Sequence, residues 1–242
     1  MDGARAARGA REAHERLVRA LDAHGVDDAL ARRPSLLPGW SVGHVLTHLA
    51  RNADSHTRMI EAVLRGEPVE QYPGGSAQRS GDIEAGSTRD ARVLIDDLRA
   101  SDDAMAAAFA RVDDATWARD ALRWGEPWPA VDLPFLRWRE VALHATDLGV
   151  DGVDASIWHP DYVDHELRRQ VGALAWRLPA GTAVRLVARD AGWSTFVVPS
   201  AGDPVRGVVT VEDTAAELLA WAVGRAPGGT HWPPLEPWRG YP

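Results

Sequence analysis

The sequence predicts an α+β protein: an antiparallel four-helix bundle over residues 1–152, followed by a smaller α/β domain over residues 153–242. Three observations predict it. Four stretches before Gly149 carry apolar residues at helical spacing and are separated by breaker-rich connections. After Gly149, Ala183–Ala188 and Trp193–Val198 alternate in β-branched fashion, with Arg189-Asp190-Ala191-Gly192 as the turn between them. Apolar residues make up 45% of the chain and charged residues 26%, an ordinary globular balance that supplies buried cores.

The first helix extends to about His24, with Leu17 and Leu21 one turn apart. Pro34 and then Leu37-Pro38-Gly39-Trp40 break the chain, and Ser41 stands as N-cap of a second helix from Val42 to about Arg65, stopped near Gly66 and Pro68. Its apolar face is Val45, Leu49, Met59, Ile60 and Val63. Residues 67–88, rich in Gly, Ser, Pro and Gln, read as a long loop of the kind that often carries function. A third helix fits Thr88 to Val112, with Val93, Leu94, Leu98, Met105 and Phe109 inward. The stretch from Trp117 to Pro134 is turn-rich, and a fourth helix runs from Phe135 to Leu148, closed by Gly149. Beyond it come a helix over Tyr162–Leu178, the two strands, a third strand at Gly207–Val211, a helix over Thr214–Val223 ended by Gly224, and a Pro- and Trp-rich tail.

Composition excludes several chemistries. All 27 basic residues are Arg, so no lysine is present for a Schiff base, pyridoxal phosphate or a P-loop. There is no cysteine, which removes disulfides, thiolate metal sites and a cysteine nucleophile. Any metal must sit on His, Asp and Glu, and any thiol chemistry must use an external thiol. The net charge of −8 argues against nucleic-acid binding. No apolar run reaches the ~18–20 residues that span a bilayer. The opening MDGARAARGAREAHERL is charged and lacks a signal's apolar stretch, so the cytoplasm is the expected location. A monomer is the expected state, although no sequence feature fixes it.

Two helical pairs carry the candidate chemistry. His44 and His48 share a face of the second helix, and Glu140 and His144 share a face of the fourth. Facing pairs in a bundle core converge on one ion, and three N/O ligands leave a coordination position open, as in catalytic zinc sites. Spacing alone also fits exposed helix pairs, and it leaves His44 and His48 in competition for the ligand role. His56, eight residues beyond His48, is a weaker candidate; His14, His24, His159, His165 and His231 are expected at the surface. Asp147, one turn past His144, suits a carboxylate that orients a ligand or a partner near the helix end. Arg225 suits either a carboxylate-binding fork or a complement to the helix dipole, and the pattern alone favours the dipole.

The segment from Leu37 to Ala53, LPGWSVGHVLTHLARNA, closely resembles the opening motif of the mycothiol-dependent maleylpyruvate isomerases, within the DinB-like metalloenzyme superfamily. Residues 137–149, RWREVALHATDLG, resemble their second motif, Asp82-Ile83-Glu84-Ala85-Gly86 their intervening loop, and Leu218–Arg225 the helix that ends their C-terminal domain. The resemblance implies a DinB-like bundle followed by a smaller α/β domain, with a divalent ion, Zn²⁺ by expectation, on His48, Glu140 and His144 and with His44 in a packing role. It implicates Asp147 and Arg225 in catalysis and mycothiol as the thiol cofactor. The implied reaction is thiolate addition to the cis double bond of maleylpyruvate, rotation, and elimination to fumarylpyruvate, with arginines of the 79–92 stretch also available for substrate carboxylates. Relatives that share the triad transfer the thiol to other electrophiles, so a mycothiol S-transferase is the alternative.

Overall fold

The computed structural model describes residues 1–200, 204–226 and 228–237, so the last of the Pro- and Trp-rich tail, 238–242, lies outside the described residues. Contacts divide the chain into two compact units, Met1–Ile157 and Trp158–Pro242. No helix among the described residues is long and apolar enough to cross a membrane.

The first unit contains, in chain order, α1 (Gly3–His24), α2 (Asp28–Arg32), α3 (Val42–Arg65), α4 (Gly75–Ser87), α5 (Ala91–Phe109), α6 (Asp114–Trp117), a hairpin of β1 (Asp120–Arg123) and β2 (Glu126–Pro129), and α7 (Leu133–Asp147). Caps set the ends of the site-bearing helix. The Ser41 side chain accepts from the His44 backbone N–H while the His44 ring accepts from the Ser41 N–H, and Gly66 closes α3 with a left-handed φ of 76°.

The four long helices form a bundle, but not the antiparallel one expected, because the neighbours α3 and α5 run parallel. Helices α1 and α3 each pack on α5 and α7, which places α1 and α3 on one diagonal. Their directions follow from paired side chains. Arg11–Asp103 and Asp22–Arg99 make α1 and α5 antiparallel, and His48–Glu140 with Asn52–Arg137 makes α3 and α7 antiparallel. Arg51–Asp97 and Glu61–Arg111 make α3 and α5 run the same way. Parallel neighbours need a connection that returns the length of the bundle, and residues 66–90 supply it.

That connection corrects one expectation. Residues 67–88 are not all loop, because α4 occupies Gly75–Ser87. Its sequence, GSAQRSGDIEAGS, has poor helix propensity and a single large apolar residue, the buried Ile83. Packing on α3 supplies what propensity does not. A Cβ on Gly43 would lie 2.2 Å from the Ser87 carbonyl oxygen, so α3 and the end of α4 approach as only glycine permits. Two further expectations change. Val93 is 46% exposed and faces outward from α5. The turn-rich stretch holds the β1–β2 hairpin, in which Pro127 and Pro129 are tolerated because β2 is an edge strand.

In the second unit, α8 (Pro160–Leu174) precedes β3 (Thr182–Ala188), β4 (Trp193–Val197), β5 (Gly207–Asp213) and α9 (Ala215–Ala222). The sheet order is β4-β3-β5, with β4 antiparallel and β5 parallel to β3. Val184, Leu186 and Val211 are buried with Leu218 and Leu219 of α9. This is the α+β arrangement the sequence predicts.

A polar layer divides the bundle core. Leu17, Leu46, Leu49, Leu98 and Val141 pack in one apolar cluster, and Met59, Ile60, Met105, Leu133 and Leu136 in another. Between them in the sequence of each helix lies a buried polar residue of this layer: His14 on α1, Asn52 on α3, Asp102 (next to the buried Ser101) on α5 and Arg137 on α7. Arg137 donates to the Leu49 carbonyl at 2.8 Å, to Asn52 Oδ1 at 3.0 Å and to Asp102 Oδ1 at 3.3 Å. His14, expected at the surface, is buried 3.4 Å from Asp102. It stays neutral there, because burial and the charges of Arg137 and Arg11 hold it down at about 3.

His56 is likewise buried and held down at about 4, chiefly by burial and against the hydrogen bond its Nδ1 makes to the Asn52 carbonyl. The unfolded chain takes up protons on both histidines below their ordinary pKa of about 6.5, while the folded chain does not until about 4 and about 3. Stability contributed by the two neutral rings is therefore present above pH 6.5 and is lost as pH falls towards 4. Urea unfolding of the metal-free chain is expected to show a slope over pH 6.5–5 that a His14→Gln, His56→Gln double variant flattens by roughly 1–2 kcal/mol per histidine at pH 5. An unchanged slope in the variant would refute the burial of neutral imidazoles.

Candidate metal centre

Helices α3 and α7 cross with His48 facing Glu140 and His144. His48 Nε2 lies 2.9 Å from Glu140 Oε2, and His144 Nε2 lies 3.5 Å from the same oxygen. The rings of His48 and His144 meet edge to face, 4.5 Å between centroids. One donor atom from each of the three residues falls within 4.8 Å of the other two. This is the convergence that the two i,i+4 pairs leave open in the sequence. Arg137, three residues before Glu140, fixes it by tying α7 to α3 at Leu49 and Asn52, on either side of the turn that follows His48.

His44 does not join the cluster. Its Nδ1 is engaged in the Ser41 cap, and its Nε2 faces Glu84 at 3.2 Å. His56, on the same helix, is occupied by the Asn52 carbonyl. His24 and His231 are exposed, His159 caps α8 through its ring, and His165 is half-buried.

The electrostatics suit a cation. His48, 1% exposed, is held neutral by burial, which pulls its pKa to about 4 against the hydrogen bond to Glu140. Burial would push Glu140 up, yet hydrogen bonds and charge from His144 and His48 hold it well below the ordinary carboxylate range. His144 is raised: burial opposes its charge, but hydrogen bonds to Asp147 and Glu140 more than offset that cost. Whatever favours a proton among these carboxylates favours a metal cation there too.

Asp147 sits where its one-turn spacing from His144 puts it, with Oδ2 2.8 Å from His144 Nδ1. A carboxylate at Nδ1 holds that ring proton and leaves the Nε2 lone pair facing the cluster. The set is two imidazoles and one carboxylate, three ligands that fit a divalent ion such as Zn²⁺ with a position left open. His48 is buried while Glu140 and His144 keep 27% and 18% side-chain exposure, so the cluster is reachable from one side.

Two neighbours complete the surroundings. Trp40 packs its ring 5.6 Å from that of His48, and Arg79 of α4 brings Nη2 3.4 Å from His48 Nδ1. Reading 67–88 as a loop hid the geometry that selects Arg79 among the arginines of the 79–92 stretch. Trp138 is buried on the far side of α7, where a Cβ on Gly9 would come within 2.0 Å of its ring, and Trp124 lies half-exposed at the hairpin tip. Arg225 belongs to the second unit, where its guanidinium donates to the Val223 carbonyl at 3.0 Å.

Comparison with known proteins adds three findings. The family model of the mycothiol maleylpyruvate isomerase N-terminal domain matches residues 8–149. No curated protein matches the chain. Among solved structures, a mycothiol-dependent maleylpyruvate isomerase is similar at 24% identity with a TM-score of 0.79, over 98% of this chain and 97% of that one. A histidine-to-alanine mutant of mycothiol-dependent maleylpyruvate isomerase is similar at 22% identity with a TM-score of 0.78, over 93% of this chain and 90% of that one. At these identities the likeness establishes the fold.

Removing the Asp147 carboxylate is expected to loosen a bound metal without disturbing the bundle. Chelator competition on an Asp147→Ala variant should give a zinc affinity about 10–100-fold weaker than that of the parent chain. Equal affinities would remove Asp147 from the support of the site.

Proposed function

Because this chain belongs to the family of the mycothiol maleylpyruvate isomerase N-terminal domain, a family of enzymes, we propose that it is a metal- and mycothiol-dependent cis–trans isomerase converting maleylpyruvate to fumarylpyruvate. The single observation that carries this reading is the convergence of His48, Glu140 and His144 in a chain that has no cysteine of its own. Such a chain can do thiol chemistry only with a borrowed sulfur. When bound, the ion stabilises that sulfur as a thiolate, the nucleophile whose reversible addition lets the substrate double bond rotate.

The protein's own groups have separable tasks. His48 offers a neutral imidazole and Glu140 an ionised carboxylate, each in the protonation state that ligation requires. Asp147 keeps the His144 ring in one tautomer. Arg79, whose Nη2 lies 3.4 Å from His48 Nδ1, would be available to a substrate carboxylate if His48 held a metal, a bidentate contact for which arginine is suited. Arg225 is proposed as a further ligand for a substrate carboxylate. Burial of His48 behind Trp40 keeps water from the closed side of the cluster.

Turnover with defined thiols tests the reading. The zinc-loaded chain is expected to bleach the maleylpyruvate absorbance catalytically with mycothiol, without consuming it, and to do so far more slowly with glutathione or no thiol. His48→Ala should lose both metal and activity. Stoichiometric thioether formation would replace the isomerase by an S-transferase, and a metal-free His48→Ala variant with full activity would end the metal assignment.

A further inference from the structure

A small cavity inside the first unit touches Glu140. It offers about 10 Å³ to the centre of a water molecule, room for one and no more. Its wall brings together His56, Gln71, Arg123 and Glu140, with Leu133 and Leu136 among its apolar neighbours. The metal cluster accounts for only one of these polar groups, and for only one of its atoms. His48 and His144 both face Glu140 Oε2, at 2.9 Å and 3.5 Å, and neither addresses Oε1.

His56 is the group that the apolar core does not explain. It is 2% exposed, and its Nδ1 donates to the Asn52 carbonyl at 2.9 Å. In a neutral imidazole that bond leaves the lone pair on Nε2. Among the described residues no protein donor meets Nε2, and a buried acceptor without a donor is destabilising. The charges of Glu140 and Arg123 both act on this ring, as groups around one small space must.

The four polar groups complement a single water molecule. Glu140 Oε1 and His56 Nε2 are acceptors, and a water has two hydrogens to give. Gln71 spends one amide hydrogen on Ser55 Oγ at 3.1 Å and keeps the other. Arg123 lays its guanidinium over the Trp128 ring, 5.0 Å from the centroid, and keeps its N–H groups, so two donors match the two lone pairs of a water. A second cation is disfavoured in this cavity by the charge of Arg123. We propose that one water seated here donates to His56 Nε2 and to Glu140 Oε1, so that His56 is a positioning residue for the Glu140 carboxylate. With Oε1 held in this way, Oε2 alone is presented to an ion, and a one-oxygen ligand keeps the further coordination position open. The inference rests on the metal binding proposed above.

Two measurements on the full chain test it. Diffraction from metal-free crystals should show one ordered water within hydrogen-bond distance of both His56 Nε2 and Glu140 Oε1. Chelator competition should then give His56→Leu a zinc affinity about 10–100-fold weaker than that of the parent, as loss of a group behind a metal ligand does. His56→Gln, whose amide carries an acceptor near the Nε2 position, should restore most of it. Both variants lose the imidazole packing, so a merely structural role would weaken both alike. Gln71→Leu, in the connection after α3, removes a donor to the same water and is expected to weaken zinc binding in the same direction, which carries the test should His56→Leu fail to fold. A dry cavity, or zinc affinities equal to the parent's in His56→Leu and Gln71→Leu, would overturn the bridge and leave the metal centre standing. A bridging water in a parent chain that takes up no zinc would overturn the metal centre, and with it the positioning role of His56.

Discussion

The buried guanidinium of Arg137 is the contact on which the site depends. It lies fully inside the bundle, and its three hydrogen bonds reach α3 twice and α5 once. Removing one partner of such a buried pair is costly, on the order of 3–5 kcal/mol, because it strands the opposite charge. The same cost that makes the layer of His14, Asn52, Asp102 and Arg137 expensive makes it specific: sliding α7 along α3 by a turn would take the Arg137 guanidinium away from Leu49, Asn52 and Asp102 together. Register between those helices is what brings His48 and Glu140 within 2.9 Å, so a structural feature of the core sets the geometry of the chemistry.

From that register the electrostatics follow. One oxygen of Glu140 is shared by two imidazoles, and Asp147 stands behind the second. The cluster holds more carboxylate than it can neutralise with its own protons at neutral pH, and a divalent cation answers that excess. Leaving Glu140 and His144 partly exposed, while burying His48, gives the ion one approachable side. The helix that frames this side, α4, is assembled by close packing of small residues on α3.

Much of this was legible in the sequence, for physical reasons that differ from residue to residue. The bounds of α3 could be read because Ser41 and Gly66 are strong local signals that need no tertiary context. The two i,i+4 pairs were visible because helical periodicity fixes which side chains share a face. Choosing His48 over His44 required family resemblance, since the deciding fact, that the His44 ring is spent on its own helix cap, is a matter of three dimensions. Helix α4 was invisible because glycines and serines give it little propensity of its own. His14 was misplaced at the surface because a lone histidine in a charged helix looks solvated until Asp102 and Arg137 are brought beside it.

The central claim is that side chains of two helices bind one ion at a shared point. Crystals of the zinc-loaded chain, with diffraction recorded on both sides of the zinc absorption edge, test it most directly. The account predicts one strong anomalous peak about 2.0–2.2 Å from His48 Nε2, His144 Nε2 and a Glu140 oxygen together. A peak ligated by other residues, or none in a protein loaded to stoichiometry in solution, would contradict it.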